Sequence, residues 1–165
     1  LSYEEIKAGL TKFRNAAMRQ SVYDIGGITV IDGSYNASPE SMKAAIDVLC
    51  ELSRQRGARK IALLGDMREL GEETRILHEE IGRYCAEKKI DKLFTFGVAA
   101  YNIALAAEKA GMPKADISCN LDVTDPGGSA GELLKCLKEG DILLVKASRA
   151  LATEKIVNYL KESIN

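Results

Sequence analysis

The chain has 165 residues, of which 46% are hydrophobic and 28% charged, and its 23 basic and 24 acidic side chains leave a formal net charge of −1. This size predicts one domain with an ordinary core, since a domain of roughly 150 residues buries about 70% of the surface that its unfolded chain exposes. The balanced charge argues against nucleic acid as a partner, and no apolar run reaches the ~20 residues of a membrane span.

The first half of the chain shows alternating helix and strand patterns. A helix is predicted at 2–13 and a strand at 27–31, whose run GITVI is almost continuously apolar. The next helix, 39–56, is the clearest, because its apolar residues recur at three- and four-residue steps. Ser38 precedes it as the expected N-cap, and Pro39 lies in the first turn, where a backbone N–H would be unpaired anyway. A chain that opens within a helical pattern, and with Leu1 rather than methionine, is expected to be part of a longer protein.

The second half continues the alternation with apolar runs that are typical of strands buried on both faces of a parallel sheet. Strands are predicted at 60–64, 92–96 and 141–145, with a weaker one near 116–118. Helices are predicted around Leu77 and Ile81 and at 100–110, 131–137 and 151–164. Ser129 and Glu132 match an S-x-x-E capping box, and 115–128 is predicted to be mostly loop because it is rich in Asp, Pro and Gly.

The order of these elements predicts the fold class. Strands separated by single helices favour right-handed crossovers, and hence an open, mostly parallel α/β sheet of Rossmann-like type with helices on both faces. In such a sheet, ligands bind beyond the carboxyl ends of the strands. Glycines and polar residues follow the predicted strands, so that edge of the sheet is the candidate active face.

The cysteines and the histidine indicate neither a metal site nor a disulfide framework. Cys50, Cys85, Cys119 and Cys136 lie far apart in the sequence, and His78 is the only histidine. We therefore expect no metal ligands in this chain and a reducing compartment, the cytoplasm. His78 lies beside the apolar stripe of its helix, where a structural role is more common than a catalytic one.

Three candidate residues follow the first predicted strand, and each has two interpretations. Asp32 either accepts a hydrogen bond from a sugar hydroxyl or serves as a turn or capping aspartate. Tyr35 either covers a flat purine face or packs within its loop. Asn36 either bonds a base edge or holds a turn.

Charged residues follow two other predicted strands. Lys146 and Arg149 suit a phosphate or carboxylate, unless they are a solvated basic pair. Asp66 and Glu69 either orient an amine or belong to an acidic loop. Neither G-x-x-x-x-G-K-[ST] nor G-x-G-x-x-G occurs in the sequence. If the chain binds ATP, we therefore expect contacts from the base and ribose side, with the phosphates held by another domain.

Three motifs, each at a predicted strand end, resemble a known family. Residues 31–42 read IDGSYNASPESM, residues 63–73 read LLGDMRELGEE, and residues 144–157 read LVKASRALATEKIV. They are similar to the D-D-S-Y-N-A-N-P-x-S-M, L-G-D-M-x-E-L-G and V-K-G-S-R patterns of the third domain of the Mur ligases, and AMRQ at 17–20 resembles the family's M-R turn. The resemblance covers the chain nearly end to end. It is strongest to the members that add D-alanyl-D-alanine to UDP-N-acetylmuramoyl-tripeptide.

The resemblance implies an ATP-dependent amide ligase of peptidoglycan synthesis. In this family the carboxylate of the tripeptide is phosphorylated to an acyl phosphate, which the amine of the dipeptide then attacks. Residues 1–165 would be the single C-terminal domain, which closes over the rest of the enzyme. The UDP-sugar domain and the central P-loop domain, which holds most of the Mg²⁺ ligands, would be its partners on the same polypeptide. By itself this domain is expected to be inactive.

The resemblance also assigns roles to individual positions. Asp32 is expected to bind the ATP ribose, and Arg19 to face the phosphates. The loop near the adenine would be shaped by Tyr35, Asn36 and Pro39. The side where the dipeptide and the acyl phosphate meet would be lined by Lys146, Ser148 and Arg149. In the open domain, Arg19, Lys146 and Arg149 are expected to be solvated and to contribute little to stability.

Three positions depart from the family pattern. Gly33 stands where Asp is usual, Ser38 where Asn is usual, and Ala147 where Gly is usual. Serine still caps a helix, whereas the methyl group of Ala147 would hinder a close backbone approach or a positive φ angle. Two alternatives remain at this point: a related Mur-type amide ligase with another substrate, and a nucleotide-binding module without catalysis.

Overall fold

The computed structural model describes residues 21–164, which form one six-stranded sheet and five α-helices. The strands are β1 Ser21–Ile25, β2 Ile28–Gly33, β3 Lys60–Gly65, β4 Lys92–Phe96, β5 Ile117–Asn120 and β6 Ile142–Lys146. The helices are α1 Pro39–Arg56, α2 Thr74–Glu87, α3 Tyr101–Lys109, α4 Pro126–Cys136 and α5 Glu154–Ile164. The predicted helix at 2–13 and the candidate residue Arg19 lie outside the described residues.

The sheet has the strand order β1-β2-β6-β3-β4-β5, and every neighbouring pair except β1 and β2 is parallel. Helices α1, α2 and α3 pack on one face, and α4 and α5 pack on the other. The predicted open, mostly parallel α/β sheet covered on both faces is therefore confirmed. No helix within residues 21–164 is long and apolar enough to cross a membrane.

The antiparallel edge strand β1 was not predicted from the sequence. Its residues are mostly exposed or half-buried, so β1 lacks the continuous apolar run that marks the central strands. A two-residue turn joins it to β2, and both turn residues, Gly26 and Gly27, have positive φ angles of 54° and 82°. Two positive φ angles are typical of the tight turn whose twist matches a hairpin, and glycine adopts them without strain.

Helix α1 begins and ends where the sequence predicts. The backbone N–H of Ser41 donates to Ser38 Oγ at 3.2 Å, and the backbone N–H of Ser38 donates to Ser41 Oγ at 2.9 Å, which closes a capping box. Gly57 ends the helix with a left-handed φ of 64°. The helix buries an apolar stripe against the sheet, formed by Met42, Ala45, Ile46, Leu49 and Leu52.

The predicted capping box of Ser129 and Glu132 is wrong, and helix α4 begins inside the segment predicted to be mostly loop. It begins at Pro126, capped by Asp125, whose Oδ1 accepts the Gly128 N–H at 2.9 Å. Ser129 therefore lies inside the helix, where its Oγ accepts from the Asn120 side-chain amide at 2.7 Å. Glu132 accepts a hydrogen bond from the hydroxyl of Ser118. Both residues join α4 to β5 instead of capping the helix.

The last helix, in contrast, starts later than predicted. Residues Arg149–Leu151 form a 3₁₀ turn, and Ala152 follows with a left-handed φ of 51°, so α5 begins at Glu154. The turn and Ala152 separate the end of β6 from α5. Arg149 therefore lies on a short loop at the sheet edge and not in the helix.

Candidate functional site

The topology places a crevice at the carboxyl end of β6. The helices that follow the flanking strands β2 and β3 pack on one face of the sheet, whereas α5, which follows β6, packs on the other. Such a reversal between neighbouring strands opens a cleft beyond their carboxyl ends, where open α/β sheets bind ligands. The loops that follow β2, β6 and β3 border this cleft. The candidate residues of all three sequence motifs lie in these loops or at the ends of the elements that flank them.

Asp32 lies near the end of β2, and both of its carboxylate oxygens accept hydrogen bonds. Oδ1 accepts the backbone N–H of Ser34 at 3.0 Å, and Oδ2 accepts the hydroxyl of Tyr23 at 3.1 Å. Tyr23 comes from β1, so sequence reasoning missed this partner together with its strand. Ser21, the first residue of β1, pairs with Asp32 across the hairpin. Arg19 precedes Ser21 by two residues and lies outside the described residues.

Asp32 and Lys146 point to opposite faces of the sheet. Asp32 is in register with Val145, whose side chain belongs to the core beneath α4 and α5. Lys146 is in register with Gly33 and follows the alternation of Leu144, which belongs to the core beneath α1, α2 and α3. The structure thus brings both residues to one edge of the sheet, but it separates them by the thickness of the sheet.

Lys146 is buried, with 4% of its surface exposed, so the prediction that it is solvated is wrong. Its Nζ donates to the backbone carbonyl of Asn36 at 2.8 Å and so ties the end of β6 to the loop before α1. Burial lowers the pKa of Lys146 from its ordinary 10.5 to about 8, because the ammonium loses hydration. A β-carbon at Gly33 would lie 3.4 Å from Nζ, which is an ordinary van der Waals distance, so the lysine packs closely against β2.

Tyr35 and Arg149 meet across the crevice. The guanidinium carbon of Arg149 lies 5.2 Å from the centre of the Tyr35 ring, which is within the range of a cation–π contact. Both side chains are exposed, as expected for Arg149. The pair therefore joins the β2–α1 loop to the β6–α5 loop on the solvent side of the cleft.

Two further candidates in the first loop hold its backbone. The side-chain carbonyl of Asn36 accepts the N–H of Ala37 at 2.8 Å. Pro39 occupies the first turn of α1, directly after the Ser38 cap. The side chain of Asn36 thus holds the turn, and its backbone carbonyl accepts the hydrogen bond from Lys146 Nζ.

Ser148 joins the β6 loop to the β3 loop. It is buried, and its Oγ accepts the backbone N–H of Arg68 at 3.0 Å. Its own backbone N–H donates to the carbonyl of Asp66 at 3.0 Å. Ser148 therefore fixes the distance between two loops that border the cleft.

Asp66 and His78 both support the β3–α2 loop from inside. Asp66 Oδ1 accepts the backbone N–H of Ala100 at 2.7 Å, just before α3. His78 is fully buried, and its Nε2 accepts the backbone N–H of Met67 at 3.0 Å while Nδ1 lies 2.6 Å from the Thr74 carbonyl. Because an amide N–H only donates, the proton of the ring is on Nδ1. Burial lowers the pKa of His78, which favours this neutral ring, and the structural interpretation of His78 is confirmed.

The methyl group of Ala147 is accommodated by a neighbouring glycine. Ala147 is fully buried and does not have a positive φ angle. A β-carbon at Gly65 would lie 2.6 Å from the Ala147 methyl carbon, so the space that a side chain at Gly65 would need is taken by Ala147. The concern that alanine strains the backbone at this position is therefore not supported.

Within residues 21–164, no group of three or more His, Cys, Asp and Glu side chains is arranged to hold a metal ion. The polar groups around the crevice are instead hydrogen-bond acceptors, buried loop contacts and the exposed guanidinium groups of Arg68 and Arg149. Such a set suits an organic ligand with hydroxyl groups and negative charge.

Comparison with known proteins gives one consistent family. The sequence pattern described as "Mur ligase, glutamate ligase domain" matches residues 18–149. The UDP-N-acetylmuramoyl-tripeptide–D-alanyl-D-alanine ligase of Bacillus subtilis is 36% identical over 165 residues, which cover 97% of this chain and 34% of that protein. The ligase of the same name from Escherichia coli is 30% identical over 161 residues, which cover 97% of this chain and 33% of that protein. The chain thus spans about a third of the length of the curated relatives it matches.

Solved structures agree with this result. The MurF ligase from Thermotoga maritima in complex with ADP superposes with a TM-score of 0.73 at 28% identity, over 92% of this chain and 32% of that one. A MurF structure from Acinetobacter baumannii superposes with a TM-score of 0.74 at 26% identity, over 99% of this chain and 34% of that one.

Proposed function

The chain belongs to the Mur ligase family, of which it is a C-terminal domain, and on this premise we propose that it is part of an ATP-dependent ligase that joins D-alanyl-D-alanine to UDP-N-acetylmuramoyl-tripeptide. The observation that carries the proposal is the 36% identity to a ligase of that name along 97% of the chain. A UDP-sugar domain and a central P-loop domain would precede this one on the same polypeptide, acting in the cytoplasm with Mg²⁺ bound mainly by the central domain.

The absence of a phosphate-binding motif from this sequence supports a nucleotide site that is shared between two domains. ATP would supply a phosphoryl group that converts the tripeptide carboxylate to an acyl phosphate, with its own phosphates held by the central domain and by Arg19. This domain would bind the ribose through Asp32 and border the adenine with Tyr35, Asn36 and Pro39. Such a split site is complete only when the two domains close, and closure keeps water from the acyl phosphate.

The reacting side of the site is assigned to three residues that follow or end β6. Arg149 is exposed on the loop after β6, so it is the residue we place beside the acyl phosphate and the incoming amine. Lys146 and Ser148 are buried, and their hydrogen bonds tie this loop to the β2 and β3 loops. We therefore propose that they act by holding Arg149 and the nucleotide loop in position.

The direct test is a ligation assay on the full-length ligase that contains this chain. Phosphate release is expected to require ATP, UDP-N-acetylmuramoyl-tripeptide and D-alanyl-D-alanine together, and the pure 165-residue chain is expected to release none. Release by the chain alone, dependent on D-alanyl-D-alanine, would contradict the role as one domain of a larger enzyme. A strict preference for another amine would favour a related ligase, and nucleotide binding without turnover would favour a module without catalysis.

Replacing Asp32 with alanine in the full-length ligase is expected to raise the KM for ATP by about 10- to 100-fold. A hydrogen bond to a charged group contributes about 1.5–3 kcal/mol, and each 1.4 kcal/mol corresponds to tenfold in affinity. Steady-state kinetics with ATP as the varied substrate measure the change, and the melting temperature checks the fold.

Asp116 provides a matched control for this variant. It lies just before β5 at the opposite edge of the sheet, where it forms an ion pair with Lys92 at 2.6 Å. Asp116→Ala therefore removes a paired carboxylate far from the cleft and is expected to leave the KM for ATP unchanged. If Asp32→Ala has an unchanged KM for ATP and a normal melting temperature, Asp32 is a turn residue and does not bind the ribose.

A further inference from the structure

The Asp32 carboxylate is fixed in orientation before any ligand arrives. An ionised carboxylate accepts about four hydrogen bonds, two on each oxygen. One position on Oδ1 is taken by the Ser34 N–H, and one on Oδ2 is taken by the Tyr23 hydroxyl. Two donors on different oxygens define the plane of the carboxylate. Among residues 21–164 neither oxygen has a further side-chain or backbone partner, so each keeps one position and a pair of neighbouring hydroxyl groups can be accepted side by side.

Tyr23 reaches Asp32 because of the register of the hairpin. Ser21 is directly opposite Asp32, and Tyr23 is directly opposite Val30, so Tyr23 and Asp32 are diagonal neighbours on the same face of the sheet. Diagonal neighbours across antiparallel strands are about 7–8 Å apart at their α-carbons, a span that aromatic side chains bridge. A shift of one residue would turn Tyr23 to the opposite face.

The Tyr23 side chain is itself held in place. Its ring packs beside the core beneath α4 and α5, and Lys161 Nζ of α5 lies 4.3 Å from the ring centre. Burial and the neighbouring Asp32 carboxylate raise the pKa of Tyr23 above its ordinary value of 10.0. The hydroxyl therefore keeps its proton and remains a donor to Asp32 across the neutral pH range.

We propose that Tyr23 is a positioning residue that orients the Asp32 carboxylate to accept the two ribose hydroxyls of the nucleotide. The proposal rests on the function proposed above, in which Asp32 binds the ribose. It assigns the antiparallel strand β1 a role in nucleotide binding, because β1 is the element that carries the Tyr23 hydroxyl to the cleft. A Tyr23 hydroxyl that merely competed with the ribose for Asp32 would weaken nucleotide binding, so its removal would lower the KM for ATP and not raise it.

The test is Tyr23→Phe in the full-length ligase, with ATP and 2′-deoxy-ATP as the two probes. Removing the hydroxyl frees the carboxylate to rotate, so we expect the KM for ATP to rise about fivefold, while kcat and the KM for D-alanyl-D-alanine stay unchanged. The parent enzyme is expected to favour ATP over 2′-deoxy-ATP, and this preference is expected to shrink in the variant. Tyr159→Phe, which removes the hydroxyl of an exposed tyrosine on α5, is the matched control.

The double variant Asp32→Ala/Tyr23→Phe separates the two levels of the proposal. Because Tyr23 acts through Asp32, adding Tyr23→Phe to Asp32→Ala is expected to cause no further rise in the KM for ATP. If Asp32→Ala alone leaves that KM unchanged, the ribose contact itself is wrong. If Asp32→Ala raises the KM but Tyr23→Phe leaves it unchanged or lowers it, the ribose contact stands and the positioning role of Tyr23 is overturned.

Discussion

Replacing Arg149 with alanine in the full-length ligase is expected to lower kcat by about 10²–10³, the usual loss when one donor to developing negative charge is removed from an active site. The attack of the dipeptide amine on the acyl phosphate builds negative charge on the former carbonyl oxygen and on the departing phosphate. Arg149 is the exposed guanidinium on the loop after β6, so domain closure would bring it beside that charge.

The same substitution is expected to change the stability of this domain little. Arg149 is exposed, and its ring contact with Tyr35 is open to solvent, where such contacts contribute about 0.5–1 kcal/mol. Turnover at saturating substrates and urea unfolding of the same preparations separate the two effects. A large loss of stability with normal kcat in the folded fraction would make Arg149 a structural residue.

Arg54→Ala is the matched control for Arg149→Ala. Arg54 is exposed in the last turn of α1, at the opposite end of the helix from the cleft, and it pairs with Glu51 at 2.7 Å. Its removal deletes one exposed guanidinium of the same kind, and kcat is expected to stay within a factor of about two, since surface pairs contribute little. A similar loss of kcat in both variants would point to a general charge effect and not to a role of Arg149 in the cleft.

Replacing Lys146 with methionine is expected to remove a pH-dependent cost of folding of about 3 kcal/mol. The folded pKa of about 8 lies below the ordinary 10.5, because burial disfavours the ammonium form. Below pH 8 the folded domain must keep a buried charge, so its stability is reduced. Between pH 8 and pH 10.5 the unfolded chain binds more protons than the folded one, so the stability of the parent rises with pH.

Urea unfolding of this chain at pH 7 and pH 10 measures the effect. The stability of Lys146→Met minus that of the parent is expected to be about 2–3 kcal/mol larger at pH 7 than at pH 10. Comparison with the parent at each pH is required, because burial also raises the pKa of Cys85, which opposes the rise in stability. Lys155→Met removes an exposed lysine of α5 as the matched control. A pH-independent difference in Lys146→Met would show that the ammonium stays hydrated in the folded domain.

The secondary structure could be predicted closely wherever the signal is local. Helix α1 and strand β4 have the bounds that the sequence predicts, because apolar spacing, the Ser38 cap and Pro39 all act within a few residues. The predictions failed where local and distant partners compete. Ser129 with Glu132 has the pattern of a capping box, but both side chains bond to β5, and Asp125 caps the helix.

The sequence placed the candidate residues at one edge of the sheet, but it did not predict which groups they contact. Strand ends converge on one edge in any open parallel sheet, so Asp32 and Arg149 could be assigned to a common cleft. The solvated state predicted for Lys146 was wrong, because the side chain packs against Gly33 of the neighbouring strand and donates to the Asn36 carbonyl, 110 positions earlier in the chain. Tyr23 was missed because β1 is an edge strand without an apolar run.

The sequence by itself determined the family, the alternation of strands and helices from β2 onward, and the edge of the sheet that carries the candidate residues, because each follows from motifs and periodicities that span only a few residues. The tertiary structure alone decided which side chains are buried, which face of the sheet each occupies and which distant group it contacts. The physical reason is register: Asp32 pairs with Val145 and Gly33 with Lys146, and a shift of one residue would exchange the faces of Asp32 and Lys146.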